Sequence, residues 1–480
     1  MKETQILEAA HRAWMRMDTL RSRRTRQRRY TYGDQWGDPV PDRKRRRMIT
    51  EGERVAQDGR APLTNNLIRR LVKSVVGRFR QETLRGAAGD GTDPNAGVDP
   101  AVRRLNRLDE LDARTLEEFL ISGMAIHYVS AERRPGGAGV WVDTVSPERF
   151  FVNALSDPRC NDMEIAGRLL DMSLAEVVMR FSRGDGARAR ELRRLYSGIA
   201  GEPPAEISTG FAPAPASFFT APEGRCRVIE VWTLECRSLL QVHDYADATY
   251  RLVPLSDEPL VAKEATRRRR RHQPPLHTAP LMRTAWHGRF LAPDGTLLSE
   301  CESPFPGGEP PFVVKFYPLI DGEVHSLVED VIDQQRYVNR LITLMDHMMG
   351  TAAKGVLLYP ISCKPRGMMW ADIQERWADP GGIIPYNHQV NGAMPQQIVT
   401  PMTDIGARDM LQTQIKLFED VSGVGQALMG KSISAAVGAD RYESEIRNAA
   451  ASISDLTETF RDFLATRNAR VSALLPVNKF

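Results

Sequence analysis

The longest regular alternation of apolar and polar positions begins after a turn signal at Asp321 and Gly322. Apolar side chains recur at Val324, Leu327, Val328, Val331, Ile332, Val338, Leu341, Ile342, Met345, Met348 and Met349, the i, i+3, i+4, i+7 spacing of one buried helical face. About 26 residues at 1.5 Å each give a rod of roughly 39 Å, several times the length needed to cap a small core. The opposite face carries Glu329, Asp333, Arg336, Asn339, Arg340 and Asp346, with Asp333 and Arg336 spaced to pair. This face is expected to meet water or a polar partner. A narrower stripe at Ile405, Leu411, Ile415, Phe418 and Val421 predicts a second helix over residues 404–421, with Asp404 at its cap. Between the two helices, residues 355–359 and 381–385 are short apolar runs bounded by Gly and Pro, which predict strands. Residues 368–377 predict one or two helical turns.

Upstream, residues 3–29 read as one amphipathic helix that buries Ile6, Leu7, Ala10, Trp14 and Met17. Residues 65–82 predict another, with Leu67, Ile68, Leu71, Val75 and Phe79 apolar, and a third ends near Gly123. Strands are expected at 125–129, 140–145 and 226–235, where β-branched and aromatic residues concentrate. Residues 198–222 and 267–280 are rich in Pro or charge and are expected to be mobile loops. Toward the C-terminus, Ile446, Ala450, Ile453, Leu456, Phe460, Phe463, Leu464 and Val471 predict a helix that packs back on the body. The fold class these elements predict is α+β.

At 480 residues and 42% hydrophobic content, the chain can bury a sizeable core divided over two to four domains. No apolar run approaches the roughly 18 residues of a membrane span, and the Arg-rich start lacks the apolar core of a signal peptide. A soluble, unexported protein with no membrane partner is expected. Five cysteines, widely spaced and without a C-x-x-C pair, point to reduced thiols and to no zinc site. The net charge of +4 is unevenly placed. Arginines cluster at residues 21–29, 43–47 (with Lys44) and 267–271. Such clusters are solvated faces, partners for acidic residues of a neighbouring subunit, or contacts for DNA or an acidic protein.

One stretch, Gly425-Gln426-Ala427-Leu428-Met429-Gly430-Lys431-Ser432, satisfies G-x-x-x-x-G-K-S, the phosphate-cradling P-loop. Taken alone it predicts a P-loop NTPase. A working P-loop follows a buried parallel strand and leads into further βα units. Here the preceding residues continue a helical pattern, and only a loop and one helical segment follow, so accidental satisfaction by a Gly-rich loop is the favoured reading. His127 reads as a core or intersubunit histidine. His325 and His347 are too far apart for an i, i+4 metal pair. Asp157, Asp162 and Glu164 read as part of a turn rather than a two-metal carboxylate cluster. Neither a cofactor nor a catalytic residue is expected, and a generic nucleic-acid-binding protein using the Arg clusters remains a further alternative.

The run PFVVKFYPLIDGEVHSLVEDVIDQQRYVNRLITLMDHMMGTAAKGVLLYP, the lobe after it, and DMLQTQIKLFEDVSGVGQALMGK resemble the stem helix, clip, second stem helix and tunnel loop of tailed-bacteriophage portal proteins, nearest the short-tailed type. Residues 30–36 (YTYGDQW), 62–66 (PLTNN) and 143–157, with Ser146-Pro147-Glu148, resemble the wing of those proteins. The resemblance implies a wing over 1–310, stem helices at 311–350 and 403–422, a clip at 351–402, a tunnel loop at 423–442, and a C-terminal helix with a short crown at 443–480. It implies a dodecameric ring at one capsid vertex of the virion, assembled in the host cytoplasm, through which double-stranded DNA passes without sequence-specific contact. The implied partners are the terminase large subunit, head-completion and tail adaptor proteins, and the major capsid protein. Carried onto this chain, Gln426, Met429, Lys431, Ser432 and Arg441 fall in the tunnel loop. Asp333, Arg336 and Arg340 form the polar stem face, and Trp370 and Trp377 are clip contacts.

Overall fold

The computed structural model describes residues 2–42, 45–89, 93–134, 137–197, 216–352, 356–379, 382–388, 392, 394–398, 406–424, 451 and 453–475. The chain divides into two compact units, one of residues 1–34, 68–332 and 422–480, the other of 35–67 and 333–421.

The first unit opens with α1 (Glu3–Arg16) and α2 (Asp18–Tyr32). The single helix expected over 3–29 is therefore two, separated at Met17, whose ψ of 3° leaves the helical range. All five residues predicted to be buried in this segment are buried. The chain then contributes a hairpin of β1 (Pro39–Asp42) and β2 (Arg47–Thr50), followed by α3 (Glu51–Gln57), to the second unit. Next come α4 (Leu67–Ala87), α5 (Pro100–Asn106) and α6 (Leu108–Ser122). Gly123 ends α6 with φ +71°, and a Cβ there would lie 2.7 Å from Val324 Cγ1 and 2.9 Å from the Tyr317 carbonyl oxygen. Only glycine fits such a left-handed, crowded cap.

Two antiparallel sheets form the body of this unit. β3 (Met124–Arg134) lies between β4 (Gly137–Thr144) and β11 (Phe312–Phe316). The larger sheet includes β5 (Phe150–Val152), β6 (Ile165–Met172), β7 (Cys226–Asp244), β9 (Leu276–Leu291) and β10 (Leu297–Glu302), in the order β10-β9-β7-β6-β5, with β8 (Thr249–Pro254) added to β7. The core between α1 and these sheets holds Trp14, Phe150, Phe151, Trp232, Trp286 and Phe312. Beside it, α7 (Leu174–Ser182) and α8 (Gly186–Leu195) bury Val177, Phe181 and Leu192.

β7 and β9 stay paired from Ile229 opposite Leu291 to Asp244 opposite Leu276, a ribbon of roughly 50 Å at strand rise. Its distal half has a small core of its own, Leu240, Val242 and Val261, closed by α9 (Glu258–Arg270). Of residues 267–280, expected to be a loop, only 271–275 are irregular; the rest are the last turn of α9 and the start of β9. Charge density misled here, because an outward helix face needs no apolar residue and Val261 alone supplies the buried contact.

After β12 (Pro318–Ile320) and β13 (Glu323–Val324), α10 (Leu327–Ala352) runs for 26 residues. Val328, Val331 and Ile332 are buried in its first part, and Val338 and Leu341 in its second. In the second unit, β14 (Val356–Leu358) pairs antiparallel with β15 (Gln396–Ile398), and α11 (Trp370–Ala378) lies between them in sequence. The strand expected at 381–385 is not formed at residues 382–388. That run of apolar residues lacks a pairing edge, because Gln396–Ile398 takes the one beside β14. α12 (Ala407–Ser422) follows the second predicted stripe, with Phe418 buried, Leu411 and Ile415 half-buried and Val421 47% exposed; Asp404 and Ile405 lie outside the described residues. Finally, α13 (Ser454–Leu474) buries Leu456, Phe460, Phe463, Leu464 and Val471 in the first unit. The predicted positions Ile446 and Ala450 lie outside the described residues.

Candidate functional site

The second unit is organised by the polar side chains of α10. Gln335, Asn339 and Thr343 follow one another at four-residue intervals, and all three are buried. Each accepts a hydrogen bond from the backbone of an alternate residue of one irregular segment. Thr343 Oγ1 accepts from Leu63 N at 3.1 Å, Asn339 Oδ1 from Asn65 N at 3.0 Å, and Gln335 Oε1 from Leu67 N at 2.9 Å. The match is geometric. Four helical residues advance about 6.0 Å and two extended residues about 6.6–6.8 Å, so a side-chain ladder on the helix can serve every second peptide of the segment. Gln335 Nε2 also donates to the Asn65 carbonyl at 2.7 Å, and Asn339 Nδ2 donates to Gln35 Oε1 at 2.6 Å. The Leu67 amide is the first of α4, so Gln335 also satisfies a helix-terminal donor.

Of the two expectations for this face, water or a polar partner, Asn339 meets the second: its exposure is 1% and its partners are the Asn65 amide and Gln35. Gln335 and Asn339 continue the apolar stripe of Val331, Ile332 and Val338. Amides at buried helical spacing were the available sign of this network.

The three residues named for the polar stem face divide. Arg336 Nη2 lies 3.0 Å from Glu51 Oε2, and Arg340 Nε lies 2.6 Å from Glu51 Oε1. Glu51, at the start of α3, is buried, and its two guanidinium partners compensate the charge of a carboxylate taken out of water. Asp333 is 86% exposed and only 3.7 Å from Arg336 Nη1, a loose surface pair. In the lobe between β14 and β15, Trp370 is 45% exposed. Its ring meets Tyr359 edge-on at 6.0 Å and carries Lys364 Nζ 5.3 Å above it. Trp377 is half-buried. In the same lobe, Ile361, Ile383, Met369 and Met394 are exposed by 83, 81, 69 and 54%, apolar surface of the kind found at interaction sites.

Gln426, Met429, Lys431, Ser432 and Arg441 lie outside the described residues, as does the whole G-x-x-x-x-G-K-S motif. The chain entering that motif is described: α12 is helical to Ser422, leaving Gly423 and Val424 before Gly425. A phosphate-cradling loop needs a strand there.

Phage P22-like portal proteins match residues 7–462 of the chain. The chain belongs to that family. It is a phage portal protein, a component of the capsid vertex used in DNA packaging. No curated protein matches it. Portal proteins are structural rather than enzymatic, and among the described residues no group of three or more His, Cys, Asp or Glu is placed to hold a metal ion. Nor is any described helix of this portal protein long and apolar enough to cross a membrane.

The other chemical candidates have structural partners in the portal protein. Asp162 Oδ2 accepts from the Ser156 and Asp157 amides at 2.6 and 3.1 Å, and Asp157 pairs with Arg159 at 3.0 Å, so these acids build a turn. His127 is fully buried, with Nε2 2.8 Å from Thr115 Oγ1 and its ring 4.8 Å from that of Phe463. Burial holds its pKa well below 6.5, and the Arg467 charge adds to the effect. Arg467 in turn is completely buried, 2.9 and 3.1 Å from the two oxygens of Asp112 and 2.7 Å from Asn95 Oδ1.

Four arginines of the first cluster are engaged within the chain. Arg24 makes a two-point contact to Glu118 at 2.6 and 3.0 Å, Arg21 donates to the Trp14 carbonyl at 2.6 Å, and Arg23 and Arg29 bind Glu329 and Asp34. Neither a solvated face nor a DNA contact describes arginines held this way. In the second cluster, Arg45, Arg46 and Arg47 are exposed, and in the third so are Arg267, Arg269, Arg270 and Arg271.

Proposed function

We propose that copies of this portal protein close into a dodecameric ring at one capsid vertex, and that double-stranded DNA passes through the ring during packaging and ejection. The wing takes residues 1–310, the stem helices 311–350 and 403–422, the clip 351–402, the tunnel loop 423–442, and the C-terminal helix and crown 443–480. The clip docks the terminase large subunit during packaging and head-completion or tail adaptor proteins afterwards, while the wing meets the major capsid protein. Assembly takes place in the host cytoplasm, and the finished ring resides in the virion. The chain itself hydrolyses no nucleotide.

The observation that carries the docking assignment is the exposed apolar surface of the small lobe, Ile361, Met369, Trp370 and Ile383, on a segment flanked by α10 and α12. Such a surface is stable in water only at a cost, and a neighbour or partner removes it. Passage of DNA asks the opposite of the channel wall. Each phosphate neutralised strengthens binding, so a conduit holds DNA best with few fixed cations. On α10, Arg336 and Arg340 are engaged by Glu51, which suits that requirement. Native mass measurement with electron microscopy of the purified protein tests the proposal: a closed ring of twelve subunits is expected, and a stable monomer or dimer under packaging conditions contradicts it.

A further inference from the structure

The ribbon of β7 and β9 ends in a charge pattern that neither the conduit nor the lobe uses. Residues 258–272 carry six Lys or Arg against two Glu, a net charge equal to the +4 of all 480 residues. The helix sorts these charges by face. Val261 turns inward onto Leu240 and Val242. Arg268 turns the same way, 2.7 Å from Asp244 Oδ1 and 3.3 Å from Glu264 Oε1. Glu264 is also held by Arg251 at 2.6 Å, so the carboxylates nearest this end of α9 already have cations. At about 100° per residue, Lys263, Arg267, Arg270 and Arg271 share an arc of about 100° on the other side, and all four are exposed.

We propose that this outer face of α9 is a contact site for double-stranded DNA, gripping the phosphate backbone without reading sequence. The contact is additional to passage through a channel and independent of it. From Lys263 to Arg271 the ridge advances about 12 Å, close to the 12 Å or so of a major groove, so its two ends reach phosphates on both strands. Guanidinium groups bind phosphate through two parallel hydrogen bonds, which favours arginine in this role. Stabilisation of the helix end explains only part of the pattern. Cations near the C-terminal carbonyls favour the helix, but that effect fades within one turn, and Lys263 is two turns away from Arg270. An acidic polypeptide fits less well. Leu260, 63% exposed, is the large apolar side chain on this face, and it stands at the far end from Arg271, where it cannot anchor a peptide held by the arginines.

The test uses the full-length protein and a fluorescent 20-base-pair duplex, with anisotropy read from 50 to 200 mM salt. Arg267→Ala with Arg270→Ala and Arg271→Ala is compared with a control that loses the same charge from the exposed arginines of α8, Arg190→Ala with Arg193→Ala and Arg194→Ala. Removing three phosphate contacts lowers the slope of log affinity against log salt by about 2.7. The α9 variant is expected to bind at least tenfold more weakly at 100 mM salt, the α8 control to bind like the parent, and Arg267→Lys with Arg270→Lys and Arg271→Lys to keep most of the slope. Equal losses in both alanine variants overturn the site, because net charge alone then explains binding. Parental DNA binding by the α9 variant overturns it too, and if that variant alone loses capture of polyglutamate, the ridge belongs to an acidic protein.

Discussion

Gln335 and Asn339 stand one turn apart on α10, and Nε2 of the first donates to Oδ1 of the second at 3.0 Å. Because Asn339 Oδ1 also accepts from the Asn65 amide, the two amides form one connected ladder with the backbone of residues 63–67. Asn339→Leu keeps the volume but removes the acceptor for Asn65 and the donor to Gln35. The Asn65 amide left unpaired costs about 1–3 kcal/mol, and a loss of that size is expected. Hydrogen exchange is the direct check: the Asn65 amide should exchange faster, with α13 unchanged. Parental protection at Asn65 counts against the ladder.

The ladder also shows where sequence reasoning stops. The α10 stripe was legible because Val328, Val331, Ile332, Val338 and Leu341 obey helical spacing, and so was the end of a helix near Gly123. A residue's partner was not. Periodicity reports which face of a helix is buried, not which distant segment covers it. For Asn339 the pattern leaves water and a polar partner both open, and the partner is a backbone segment some 270 positions upstream. The arginines of α2 failed in the same way, since Glu118 and Glu329 are invisible as partners until the chain folds. At α9 the signal differs, because a charge-dense stretch has the composition of a loop while its residues are good helix formers.

Arg467 and Asp112 are both within 1% of full burial. Arg467→Met leaves Asp112 with Asn95 as its partner at 2.9 Å and no cation. Stability should fall by about 3–5 kcal/mol. Adding Asp112→Leu removes the stranded charge and should recover more than half of that loss. Denaturant unfolding of the parent, the two single variants and the double variant measures the coupling. Additive losses mean that the pair is not a unit.

His127 gives the pH dependence a direction. Its pKa in the folded chain lies well below 6.5, chiefly through burial and then through Arg467. Below about 6.5 the unfolded chain binds a proton that the folded chain refuses, so stability is lost as pH falls through this range. The full slope from one such group is about 1.4 kcal/mol per pH unit. His127→Gln keeps a partner for Thr115 and removes the titration. Unfolding measured from pH 7.5 to 5 should lose about that slope in the variant, and an unchanged slope assigns the acid sensitivity elsewhere.

Lys431 separates the conduit from a nucleotide-binding protein. α12 reaches Ser422 as a helix, and a cradle for phosphates needs a strand before its first glycine. Purified protein is expected to release no phosphate from ATP, and Lys431→Ala is expected to assemble like the parent. ATP hydrolysis that disappears in this variant alone would restore the P-loop reading.

Trp370 and Trp377 decide whether the small lobe is a docking surface. Trp370 has nearly half its surface open, and its ring contacts among the described residues, Tyr359 and Lys364, belong to the same lobe. Aromatic residues of this kind concentrate binding energy in an interface, about 2 kcal/mol or more each. If they face a partner, Trp370→Ala with Trp377→Ala should weaken terminase capture or ring closure at least tenfold while leaving the far-UV circular dichroism unchanged. If they instead hold a core, each loss costs roughly 3–5 kcal/mol, and the melting temperature falls before any binding is measured. Binding and melting therefore move in different variants of the explanation, and both are read on the same sample. A double variant that melts like the parent, closes into rings, captures terminase and packages DNA at the parental rate removes the docking role from this lobe.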